Sequence, residues 1–264
     1  MELQSRYDAL RAQGLGVVAI LYDSQETLKA FADARGIEFP LLSDVGSEVI
    51  RRYGILNREA EGSRVSGIPY PGTFILDPSG RVVDRIFEPA YQERSTVSSI
   101  ALRRGDLISG LDRDATMVET DHLELVSYAS DAVVAPGNRF SLILDVTPKP
   151  EMHVYAPGDH TYQVISLRLD LPEFIQRHDA TYPESTRYHF EPLNETVSVY
   201  EGVFRLVQEV TIPMSEEVDA LAQAGDVLSI DGTLEYQACD HEICYLPAEV
   251  PLQWEFEWRA LVRE

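Results

Sequence analysis

"VLSIDGTLEYQACDHEICYLPAEVPLQWEFEW" (residues 227–258) alternates apolar and polar side chains on both sides of a short polar interruption. A period of two marks a half-buried strand. Leu228, Ile230, Leu234, Tyr236 and Ala238 share one face before the interruption, and Val250, Leu252, Trp254, Phe256 and Trp258 share one after it. Asp240, His241 and Glu242 fit a turn, so the stretch reads as strand, turn, strand. It also holds both cysteines of the chain, Cys239 and Cys244. In one straight strand they would lie roughly 16 Å apart, whereas a disulfide needs Cα atoms about 4.4–6.8 Å apart. Pairing therefore demands that residues 240–243 reverse the chain. Alternation puts Cys239 opposite Ala238, on the polar and wetter face, and Cys244 in phase with Leu246 on the inner face. One extra turn residue would reverse that phase, so the attacking cysteine stays unassigned.

The same period recurs in "HLELVSYA" (122–129), "RFSLILDVT" (139–147), "VISLRLDL" (164–171) and "VFRLVQEVTI" (203–212). The turn-forming clusters "APGN" (135–138), "TPKPE" (147–151) and "APGD" (156–159) punctuate these runs. Six or more short strands with such breaks argue for an all-β, immunoglobulin-like antiparallel sandwich. Within it "SEEVDALAQAG" (215–225) is the one expected helix.

The first 105 residues follow a different pattern. "ELQSRYDALRAQG" (2–14) reads as an amphipathic helix carrying Leu3, Tyr7 and Leu10, and "LGVVAILYD" (15–23) as a buried strand. A helix follows, with Asp23 or Ser24 as N-cap, Leu28 and Phe31 facing inward and Gly36 as its stop. "FPLLSD" is extended and "SEVIRRYG" another helical turn or two; "GTFILDPSGRVVDRIFE" (72–88) is a hairpin about a type I turn at Asp77–Gly80, and residues 93–105 close the unit as a helix. This is an α/β layer pattern. The expected division is an α/β unit at 1–105, a polar linker at 106–118 and the sandwich at 119–264.

Charge is unevenly placed. Residues 1–110 carry 13 Lys and Arg against 15 Asp and Glu, and residues 111–264 carry 9 against 29. A surface that acidic repels phosphate backbones, which argues against nucleic-acid binding. No stretch approaches the roughly 18 apolar residues of a membrane span, so no integral membrane segment is expected. No secretory signal, P-loop, dinucleotide fingerprint or HExxH motif is present.

The first unit resembles the thioredoxin-like AhpC/TSA-type peroxiredoxins, on "VVAILYDSQETLKAFADARGIEFPLLSD" and "GIPYPGTFILDPSGRVV". That resemblance implies a cis proline before the Thr-Phe strand, here Pro71. It also implies a reactive cysteine after a first core strand, yet residues 1–238 contain no cysteine and the chain opens within the following helix. The unit as it stands therefore lacks the thiolate that peroxidase chemistry needs. The expectation is that the natural product begins upstream of Met1. The second unit resembles the N-terminal domain of the thiol:disulfide interchange protein DsbD, on "MHVYAPG" (152–158), "VYEGVFRLVQEVTIP" (199–213) and "LEYQACDHEICYLP" (234–247). In that family the two cysteines cycle between dithiol and disulfide, and the domain works outside the cytoplasm.

Four readings of the pair follow. An exchanging disulfide at Cys239 and Cys244 is favoured by the resemblance, with His153, Tyr155 and Tyr236 in support and no organic or metal cofactor required. It implies a thiol or disulfide partner protein. A structural staple closing so short a loop would stabilise by only about 2 kcal/mol. A metal site could use Cys239, His241 and Cys244 but has no evident fourth ligand; two inert thiols are the remaining reading. Asp240 and Glu242 should raise the thiol pKa, which suits slow, partner-specific exchange. His160, His178 and His189 read as surface residues. Two alternatives of other classes stand beside exchange: a non-catalytic interaction module, or a fragment of a peroxiredoxin-like reductase whose cysteine lies upstream.

Overall fold

The computed structural model describes residues 2–87, 93–103, 114–190 and 194–260. The chain divides into two compact units, Met1–Leu111 and Asp112–Glu264.

The first unit is thioredoxin-like in its α/β order. Helices α1 (Glu2–Ser5) and α2 (Tyr7–Ala12) precede β1 (Ala19–Leu21), α3 (Gln25–Arg35), β2 (Leu41–Ser43) and α4 (Glu48–Arg52). The hairpin β3 (Gly72–Leu76) and β4 (Val82–Phe87) follows, then a short strand β5 (Arg94–Ser95) and α5 (Val97–Arg103). Local chemistry sets these limits. The Ser24 side chain accepts from Thr27 N–H at the start of α3, and Gly36 ends it in the left-handed conformation at φ 61°. At the β3–β4 turn the Asp77 carboxylate accepts from the N–H groups of Ser79 and Arg81, while Gly80 donates to Asp77 O.

Three expectations for this unit are corrected. Phe31 is 44% exposed, whereas Leu28 is buried. β1 pairs in parallel with β2, its one partner among the described residues, so Val18, Ile20 and Leu42 stay open to solvent rather than forming a buried strand. Pro71 is trans, because no described peptide bond is cis. Tyr70 donates to Ile55 O and Asn57 to Ile68 O, which draws residues 68–70 straight into a ladder. An extended approach to proline accommodates the trans form, which is favoured by about 0.5–1 kcal/mol.

The second unit is a β-sandwich. Its strands are β6 (Thr116–Glu119), β7 (Leu123–Ala129), β8 (Val133–Val134), β9 (Asn138–Pro148), β10 (His153–Tyr155), β11 (Ser166–Asp170), β12 (Gln176–Arg177), β13 (Thr186–Phe190), β14 (Glu195–Tyr200), β15 (Phe204–Thr211), β16 (Leu228–Tyr236), β17 (Ala238–Cys239) and β18 (Ala248–Trp258). Helix α6 (Glu216–Ala224) is capped by Ser215 and ended by Gly225. β6 begins inside the stretch read as linker, and residues 104–113 lie outside the described ones.

One sheet runs β12-β15-β9-β7-β6 and a second runs β11-β16-β18-β8. Their inner faces meet in one core. Leu123, Leu125, Phe140, Leu142, Leu144 and Leu206 pack with Leu228, Ile230, Leu234, Val250, Leu252, Trp254 and Phe256. The Phe140 and Phe256 rings meet edge to face at 4.9 Å. A third sheet, β13-β14-β10-β17, carries the cysteine strand at its edge. Its residues Val154, Tyr200 and Ala238 join the main core, and their neighbours Tyr155, Val199 and Cys239 point to the other side.

Candidate functional site

Cys239 and Cys244 are joined as a disulfide, with Cα atoms 4.1 Å apart. The chain reverses between them. Asp240 N–H donates to Ile243 O, and Tyr245 N–H donates to Ala238 O. Those two bonds bracket Cys239 and Cys244 as a directly opposed pair that exchanges no hydrogen bond itself, the antiparallel position where side chains come closest. The Asp240 carboxylate completes the turn by accepting from Glu242 N–H and Ile243 N–H at 2.7 and 2.6 Å and from the Tyr245 hydroxyl at 2.9 Å. These donors hold the Asp240 carboxyl below its usual range. Donating to Asp240 in turn raises the pKa of the Tyr245 hydroxyl.

The two sulfurs differ in access, and in the opposite sense to the sequence expectation. Cys239 is 1% exposed, while Cys244 is exposed. Cys239 does lie opposite Ala238, but the face it occupies is covered. Tyr155, Val197 and Val199 pack around it with Tyr162 and Tyr188. Cys244 and Leu246 precede β18 rather than continuing it, so the inward phase of Val250 to Phe256 does not reach them, and Leu246 is 86% exposed.

Tyr155 reaches both sulfurs. Its hydroxyl oxygen lies 3.0 Å from Cys239 Sγ and 3.2 Å from Cys244 Sγ. Disulfide sulfurs carry no hydrogen, so Tyr155 is the donor and its single O–H is shared between them. Burial of the ring pushes its pKa upward, which keeps it protonated. Tyr162 stacks on Tyr155 with centroids 4.2 Å apart and an interplanar angle of 3°. The Tyr162 hydroxyl donates to Glu195 at 2.8 Å, and that bond raises its pKa. In the loop between them Gly158 packs closely on Ser198, where a Cβ would meet Ser198 Oγ at 2.9 Å.

His153 pairs across the strands with Cys239 and is 3% exposed. Its ring lies against Tyr188, centroids 4.4 Å apart. Burial lowers its pKa, the largest of the influences on it. His241 Nδ1 lies 3.0 Å from the Tyr188 hydroxyl at the exposed rim. Tyr236 does not join this group: its ring is in the main core and its hydroxyl donates to Thr120 at 3.0 Å. Period two separates it, because it shares a face with Ala238 rather than Cys239. His160 and His178 are half-buried rather than on the surface, and His189 is exposed. His160 Nε2 is 2.8 Å from Ala156 O and its ring is 5.3 Å from Tyr155, whereas His178 Nε2 contacts Thr211 Oγ1 at 2.7 Å. Among the described residues no group of three or more His, Cys, Asp or Glu side chains is arranged to hold a metal. Tyr162, Tyr188 and Glu195 escaped the sequence reading because no local pattern links loop 156–163 or β13 to the cysteines.

The first unit is thioredoxin-like in its order of elements, and the second is a sandwich that carries the half-buried disulfide. Residues 1–85 match the model of the AhpC/TSA family, and residues 123–251 match that of the thiol:disulfide interchange protein DsbD, N-terminal. A Mycobacterium tuberculosis protein assigned as a peroxiredoxin is 41% identical over 92 residues, covering 34% of this chain and 55% of that protein. Peroxiredoxin Q, chloroplastic, of Sedum lineare is 33% identical over 86 residues, covering 33% and 43%. The thiol-disulfide oxidoreductase ResA of Bacillus anthracis is 28% identical over 91 residues, covering 33% and 44%. The chain thus spans about half the length of the curated relatives it matches. The N-terminal periplasmic domain of ScsB from Proteus mirabilis aligns with a TM-score of 0.37 at 15% identity, over 54% of this chain and 51% of that one. The family matches of both units, together with the disulfide, support a role in thiol–disulfide exchange. No described helix is long and apolar enough to cross a membrane.

Proposed function

We propose that the chain exchanges two electrons with a partner protein through Cys239 and Cys244. The observation that carries this reading is the unequal access of the two sulfurs within one disulfide. A partner thiolate attacks the exposed Cys244 Sγ and forms a mixed disulfide. The Cys239–Cys244 bond breaks, and its electron pair stays on Cys239 Sγ, where the Tyr155 hydroxyl donates to the new charge. A second thiolate of the partner then attacks its own sulfur in the mixed disulfide and releases Cys244. The partner leaves oxidised and the chain is left a dithiol. The reverse sequence oxidises the chain, and relative potentials set the direction.

The hairpin is already closed by its backbone bonds and the Asp240 turn, so a staple would add little there. Exchange of the full chain with a glutathione redox buffer tests the proposal. Cys244→Ser and Cys239→Ser should each abolish it, and a midpoint between about −120 and −270 mV is expected. A midpoint below about −300 mV would mark a structural bond and overturn the reading.

A further inference from the structure

His153 has no part in that exchange, yet it is the cross-strand neighbour of the buried sulfur. In such antiparallel pairs the Cβ atoms lie about 4.5–5.5 Å apart. His153, Tyr155 and Cys239 occupy one face of the small sheet, away from the main core. Both His153 and Cys239 are shielded from solvent, at 3% and 1% exposure. The rings of Tyr155 and Tyr188 lie against its imidazole, centroids 5.8 and 4.4 Å away. An imidazole in that position stands beside the sulfur that an opened disulfide would charge.

Opening the disulfide changes its surroundings abruptly. A thiolate on Cys239 is a buried charge, costly unless paired. We propose that His153 takes up a proton from solvent as the disulfide opens and holds Cys239 as a thiolate–imidazolium pair. The balance is simple: the partner sulfur bonds to Cys244, the broken bond leaves its electron pair on Cys239 Sγ, and one proton enters on the imidazole. Charged and titratable groups around His153 come from each packed element. They are Glu201 after β14, Asp240 and His241 in the turn, Tyr155 on β10 and Tyr188 on β13. Glu201 and Asp240 favour the imidazolium and His241 opposes it. While the disulfide is intact, burial outweighs these and lowers the His153 pKa. The inference rests on the exchange reading, because only an opened disulfide presents the thiolate.

Proton titration of the His153 ring by NMR, in the full chain oxidised and then chemically reduced, tests it without a partner. The expected result is a titration at least one pH unit higher in the reduced form, a tenfold change in proton affinity. The same midpoint in both forms overturns the proposal. A second measurement reads the sulfur: the ultraviolet thiolate absorbance of Cys239 in Cys244→Ser against Cys244→Ser/His153→Phe. The thiolate should persist to lower pH where His153 is present, and identical curves would again overturn the pairing. His153→Gln serves if the Phe variant does not fold. Failure of glutathione exchange with these titrations intact would remove the functional reading and leave the ion pair standing.

Discussion

The two units of this chain handle apolar side chains differently. In the second, one continuous core takes in Phe140, Leu144, Ile230, Trp254, Phe256 and their neighbours, nearly all shielded from water. In the first, β1 and β2 make one pair and β3 and β4 another, and Val18, Phe31 and Leu42 remain exposed. Chemistry follows the same division, since both cysteines lie in the well-packed unit. A half-buried disulfide needs a firm scaffold, because shielding one sulfur while presenting the other depends on fixed neighbours.

The sharpest test of the contrast is a pair of large-to-small changes. Phe140→Ala should destabilise the second unit by about 3–5 kcal/mol. Both tryptophans, Trp254 and Trp258, belong to that unit, so their fluorescence during urea unfolding reports on it alone. Phe31→Ala in the first unit should stay within about 0.5 kcal/mol by the far-ultraviolet helix signal, as exposed positions do. Equal losses at the two sites would erase the comparison.

Reducing the disulfide should cost the second unit less than the core change, about 2 kcal/mol from the chain-entropy model. The urea midpoint of oxidised and reduced protein reads this directly. Smaller again is Tyr155→Phe, which deletes one hydroxyl shared by two sulfurs. A net hydrogen bond of about 1 kcal/mol corresponds to roughly a fivefold slower glutathione exchange. An unchanged rate would remove Tyr155 from the chemistry and leave it a packing residue.

The mildest effect concerns pH. His153 binds its proton less readily in the oxidised native state than in the unfolded chain, because burial disfavours the charge. The unfolded state therefore binds more protons near and below pH about 6.5, and stability rises with pH there. This contribution is present above the unfolded pKa and is lost as pH falls toward the lower native one. Thermal midpoints of the oxidised protein should fall between neutral pH and pH about 5, and less steeply in His153→Phe. The Asp240 carboxyl, held below its usual range, contributes only at still lower pH, so the two can be told apart.

Much of this was legible in the sequence. Alternation identified the inner faces of β16 and β18, from Leu228 to Tyr236 and from Val250 to Phe256, because an amphipathic strand has one way to face a core. Polar Asp240–Glu242 marked the reversal that joins the cysteines, and Ser24 and Gly36 marked the ends of α3. Alternation also placed Cys239 on the face opposite Ala238. It could not reveal what lies on that face. Tyr162 from the loop after β10 and Tyr188 from β13 arrive from elsewhere in the chain and bury the sulfur that alternation alone places on the wetter face. Nor could the pattern cross Tyr245 to Pro247, where no strand holds the phase and Cys244 is left open. Periodicity encodes which side chains share a face; only tertiary packing decides which faces are covered, and hence which sulfur a partner can reach.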